Sequence, residues 1–173
     1  MTSTEHENMV HRVMDAILRH TCHHFQHELG IKMQAAPPTK GDIDELTLRD
    51  LTAIIGIGGP VSVLATFSFD AALSVHVLDV ETAGLRVTEE ERPQFLLDTI
   101  AETINVILGQ STVDLASTGS TVALSAPVVL EDGGKLRRPK GAFFTRVNHL
   151  TEYGMLDVNF ITPKHLYGEN FAA

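Results

Sequence analysis

The chain has 173 residues, 43% apolar and 20% charged, the balance of a globular protein rather than a disordered or membrane-spanning one. Thirteen basic residues against 22 acidic ones leave a formal charge of −9, which opposes general binding to nucleic acid or anionic lipid. The lone Cys22 excludes a disulfide within the chain; with no membrane-length apolar run and a first stretch too polar for a signal peptide, it gives the expectation of a cytoplasmic protein.

Val10, Val13, Met14, Ile17 and Leu18 recur at three and four residues, the apolar stripe of an amphipathic helix that continues through Phe25 and stops near Gly30. Ala35 to Asp44, with Pro37, Pro38 and Gly41, reads as a loop. Leu51 to Ile57 and Val61 to Phe69 read as strands joined at Gly58-Gly59-Pro60, hence a hairpin. Asp70 is placed to cap a short helix over Ala71 to Asp79. Thr88-Glu89-Glu90-Glu91 and Pro93 suit the front of a longer helix running through Leu108, with Gly109 as its stop. Strands are expected over Ser120 to Leu130, Ala142 to Val147 and Tyr153 to Ile161, with Glu131 to Gly141 a loop. Helix, hairpin, two helices and three further strands predict an α+β fold with a mostly antiparallel sheet of about six strands and long helices packed on it. The expected organisation is a single domain over 1–173, its core about 5–162 and a C-terminal tail 163–173.

The second long helix carries the most specific pattern. Leu96, Leu97, Ile100, Ala101, Ile104, Ile107 and Leu108 cover one broad side, which must face the sheet. Asp98, Glu102, Asn105 and Gly109 fall in a narrow row on the other side. Any amphipathic helix has a polar back, so such a row is ordinary in itself. Asn, however, is a poorer helix former than Glu or Lys, and Gly109 leaves smooth surface for the close approach of another protein's backbone.

The run Asp98-Thr99-Ile100-Ala101-Glu102-Thr103-Ile104-Asn105-Val106-Ile107-Leu108-Gly109 resembles the signature helix of the CheC/CheX/FliY phosphatases, in which an acidic residue or Ser, a Glu and an Asn stand at these spacings. Pro127, in Leu124-Ser125-Ala126-Pro127-Val128-Val129, stands where that family places a proline, and Ile54 to Pro60 running into Ala65 to Phe69 is similar to its glycine-containing hairpin. The first helix has Asp15, Arg19 and Cys22 where a second motif would lie, so the resemblance is to the single-motif CheX branch. It implies a CheC-like fold, a homodimer, and hydrolysis of the aspartyl phosphate of a CheY-like receiver. By resemblance Asn105 would orient the attacking water, Glu102 would pair with the receiver's active-site lysine, and Asp98 and Gly109 would support docking. No cofactor is expected in this chain; Mg²⁺ would belong to the receiver. A receiver-binding or dimerisation module without catalysis is the non-enzymatic alternative, and a protein that binds metal through a histidine cluster is a third reading.

The remaining constellations favour plainer readings. His20, His23, His24 and His27 crowd the end of the first helix at spacings compatible with Zn²⁺ or Ni²⁺, but a polar helix end suffices to explain them and no metal site is expected. Cys22 and His23, adjacent on a helix, point apart. Gly56, Gly58 and Gly59 lack the spacing of a dinucleotide loop. Lys135, Arg137, Arg138 and Lys140 read as a solvated basic turn.

Overall fold

A computed structural model of the chain describes residues 2–41 and 43–164; most of the expected C-terminal tail, residues 165–173, lies outside them. Thr2 opens the first helix, α1 (Ser3–His23), with a reciprocal cap: its hydroxyl accepts the Glu5 N–H at 3.3 Å while its own N–H reaches the Glu5 carboxylate at 2.6 Å. Val10, Val13, Met14 and Ile17 are buried, as their spacing predicts. The helix then widens into a π-turn over His24–Glu28, which carries Phe25 into the core beside Phe69, ring centroids 6.3 Å apart. Gly30, at φ +67°, ends it in the left-handed region that a side chain disfavours.

The expected 35–44 loop contains two short strands, β1 (Gln34–Ala35) and β2 (Thr39–Gly41), both paired with a strand late in the chain. After β3 (Glu45–Thr47) the hairpin forms as read, β4 (Leu51–Gly58) with β5 (Val63–Phe69). Helix α2 (Ala71–Glu81) begins where expected, but Asp70 does not cap it. Its carboxylate takes Arg49 Nη1 at 2.6 Å and the Met155 N–H at 2.8 Å, and Asp50 accepts the Ala71 N–H at 2.8 Å instead.

Helix α3 (Arg92–Ser117) corrects the sequence reading at both ends. Thr88 and Glu91 form a hydrogen-bonded turn ahead of it, so the three glutamates precede the helix rather than sit in its first turn. Gly109 does not stop it: burial of Ser111 and Leu115 within the next two turns outweighs the roughly 1 kcal/mol that glycine costs in a helix interior. The single strand expected over 120–130 is two, β6 (Ala123–Leu124) and β7 (Val128–Glu131), divided around Pro127, which has no N–H for a ladder. The expected 131–141 loop contains β8 (Lys135–Arg137). Two long strands, β9 (Ala142–Thr151) and β10 (Gly154–Pro163), follow.

All strand pairings among the described residues are antiparallel, in a sheet of eight strands ordered β1-β9-β10-β5-β4-β6, with β2 beside β9 and β7 beside β4, plus a β3–β8 ribbon. The fold is α+β, with the strand count above the expected six because short edge pieces join four long strands. Alternate residues of the central strands (Ala53 and Ile55, Ala65 and Phe67, Val158 and Phe160) face the three helices in one core. The other face buries a smaller cluster, Leu46, Ala142, Phe144 and Ile161, under the ribbon. Beside it the buried polar groups find partners on the same face: Thr52 and Ser68 hydrogen-bond each other, Asn159 donates to Thr66, and Asp157 accepts Arg49 Nε at 2.7 Å. None of the described helices is long and apolar enough to cross a membrane.

Candidate functional site

The site is built on α3 from the inside outward. Ile100, Ile104, Ile107 and Leu108 are buried against the sheet, which fixes the rotation of the helix and turns its opposite side to solvent. Asp98, Glu102 and Asn105 are exposed there, and Gly109 follows half-buried on the same line. The four sequence-predicted residues are therefore brought into one row, about 16 Å long at a rise of about 1.5 Å per residue.

The side chains of the row differ in their freedom. Gln94 Nε2 donates to Asp98 Oδ1 at 2.8 Å, holding that carboxylate to its own helix. Among the described residues Glu102 and Asn105 have no side-chain partner. The first offers an acceptor-only anion; the second offers a neutral group that both donates and accepts. A Cβ built at Gly109 meets nothing within 4 Å, so the helix surface is open at that point.

Helix α1 lies antiparallel beside α3. At the C-terminal end of α3 Arg12 donates to Thr118, and one turn back Arg19 Nη2 reaches Asp114 at 2.7 Å with His20 Nε2 3.5 Å from the same carboxylate. The Arg19 guanidinium holds the Asp114 carboxyl below its usual range. A groove of about 560 Å³ runs between the helices, lined by His20, Gly109, Gln110, Val113, Asp114 and Ser117. Sequence reading singled out only two of these six, because the groove exists only once α1 is laid against α3.

Where a second motif would sit on α1, Asp15 and Arg19 are exposed and Cys22 is half-buried, its thiol pKa pushed up by burial, opposite to what a nucleophilic cysteine needs. The histidines are dispersed: His24 is buried, His20 turns to Asp114, and only His23 and His27 meet, ring centroids 4.6 Å apart. His23 and His27 are a pair that helical spacing places one turn apart. Among the described residues no three His, Cys, Asp or Glu side chains form a group able to hold a metal ion. The basic cluster is largely not a loose turn: Lys135 pairs with Glu45 at 2.6 Å and Arg138 with Asp44 at 2.8 Å across the ribbon.

The sequence model of the family described as "Chemotaxis phosphatase CheX" matches residues 51–145, from the first strand of the hairpin through α3 into β9. The chain belongs to the CheX family. Among solved structures it is similar to a chemotaxis protein CheX of Desulfovibrio desulfuricans, with 19% identity and a TM-score of 0.73, covering 86% of this chain and 97% of that one. A putative chemotaxis protein of Desulfovibrio vulgaris Hildenborough gives 22% identity and a TM-score of 0.72, covering 86% and 94%. The CheX–CheY–BeF3–Mg²⁺ complex of Borrelia burgdorferi contains a chain with 17% identity and a TM-score of 0.66, covering 88% and 97%. At these identities the likenesses bear on the fold. No curated protein sequence matches.

Proposed function

We propose that this chain is a phosphatase of CheY-like receivers, acting through Glu102 and Asn105. The observation that carries the reading is an exposed, unpartnered carboxamide one helical turn from an exposed, unpartnered carboxylate, inside the segment that matches the chemotaxis phosphatase family. An aspartyl phosphate is already an activated acyl phosphate; what its hydrolysis lacks is a water held in line with phosphorus. Asn105, inserted beside the phosphoryl group, accepts from or donates to that water and, being neutral, does not repel the phosphate. The water oxygen bonds to phosphorus, the bond from phosphorus to the aspartyl oxygen breaks, and inorganic phosphate leaves a free carboxylate on the receiver.

Glu102 supplies a charge-assisted contact to the receiver's lysine, which sets the docked angle. Asp98 and Gly109 belong to the docking surface. The row of one free carboxylate and one amide makes no cage for a cation, so Mg²⁺ is assigned to the receiver. A hundredfold acceleration requires only ~2.7 kcal/mol of barrier reduction, within reach of positioning one water. The family reading also carries a cytoplasmic homodimer; the exposed Leu124, Val128 and Leu130 on edge strands β6 and β7 are apolar surface a second copy would cover. Phosphate release from a phosphorylated CheY-like receiver, with and without the chain, tests the activity; light scattering of the purified chain tests the dimer.

A further inference from the structure

The groove between α1 and α3 carries an inference that rests on the proposed phosphatase reading and extends it. Val113 is 71% exposed, above every other exposed large apolar side chain among the described residues. It stands two turns beyond Asn105, about 12 Å along the axis, on the side of the row nearer α1. A partner of ordinary interface size covers about 800 Å² on each side, a patch roughly 16 Å in radius, so one that seats Asn105 in its active site also lies over Val113. Gly109 joins the two: it belongs both to the row and to the lining of the groove, and it leaves the passage between them clear.

The chemistry of the groove selects the kind of group it receives. Its one carboxylate, Asp114, is already paired with Arg19 at 2.7 Å, so the floor presents no free anion. Val113, the Gly109 backbone and the His20 ring form its less polar walls. The Gln110 carboxamide oxygen accepts no hydrogen bond among the described residues, so turning that amide toward an incoming group breaks none. We propose that this groove is a second docking point for the receiver, taking an uncharged apolar or aromatic side chain beside the receiver's active site and so selecting among receivers.

The test uses a CheY-like receiver loaded with beryllofluoride as the binding probe, and the same receiver phosphorylated as the substrate. Val113→Glu is expected to weaken binding about tenfold and to raise KM in proportion, with kcat within about twofold of wild type. Val113→Leu is expected to keep wild-type affinity. Leu85→Glu, an equal charge change at a 64% exposed residue between α2 and α3, is the control and is expected to change neither. Wild-type affinity in Val113→Glu, or an equal loss in Leu85→Glu, would overturn the docking point while leaving the Asn105 chemistry standing. Turnover that survives in Asn105→Ala, or a wild-type chain that binds no receiver, would overturn the reading beneath it.

Discussion

Gly109→Ala separates the needs of the fold from the needs of the site. Glycine lies inside α3, and the added methyl meets nothing within 4 Å, so no steric term opposes the substitution. What remains is the helix-propensity difference of about 1 kcal/mol in favour of alanine. For a domain of this size that corresponds to an increase in Tm of about 2–4 °C. The same methyl stands on the proposed docking row, where it would hold a partner's backbone away from Asn105. The variant is therefore expected to be more stable and less active, with phosphatase kcat/KM reduced about tenfold. Thermal unfolding followed by circular dichroism gives the first quantity; phosphate release from a phosphorylated receiver gives the second. A lower Tm would refute the account of the helix at that position, and a higher Tm with undiminished activity would remove Gly109 from the contact surface.

Other predictions address the far face of the sheet and the buried histidines. Arg49→Met leaves the Asp157 carboxylate, only 4% exposed in its side chain, without its cation and with only the hydrogen bond that Asn148 Nδ2 donates to its Oδ1, and is expected to cost about 3 kcal/mol in urea unfolding; a loss below about 1 kcal/mol would mean that Asn148 alone satisfies it. Burial lowers the pKa of His149 and of His24 below the ordinary 6.5. The unfolded chain then binds more protons just below that value, so stability falls as pH drops from about 6.5 until the folded-state values are reached, and gains nothing above it. The urea midpoint is expected to be lower at about pH 5 than at about pH 7.5, and His149→Leu is expected to flatten that slope; an unchanged slope would assign the titration elsewhere. Val113→Glu, as described above, should split KM from kcat.

What could be read from the sequence depended on how locally each feature is determined. The stripe of α1, the β4–β5 hairpin and the inward face of α3 follow from spacing alone, and so does the row Asp98, Glu102, Asn105, since a helix fixes which residues share its outer face. The end of α3 was not legible, because Gly109 terminates a helix unless residues beyond it are buried, and the burial of Ser111 and Leu115 is supplied by tertiary contacts. The short strands β1, β2 and β8 are only two or three residues long and gain their conformation from distant partners, β9 for the first two and β3 for the third. No spacing rule announces the π-turn at His24–Glu28. The groove at Val113 needed two helices placed side by side, whereas the row beside it needed only one.

Phosphate release from a phosphorylated CheY-like receiver, compared between the wild-type chain and Asn105→Ala, tests the central claim most directly. Asn105 is exposed and has no side-chain partner among the described residues, so the substitution leaves the fold intact and removes only the group assigned to the water. Clear acceleration is expected from the wild type and a fall of about a hundredfold in the variant, by analogy with the loss of a catalytic hydrogen-bonding amide, with receiver binding retained. Acceleration that survives the loss of Asn105 would contradict that claim and place the chemistry elsewhere on the molecule.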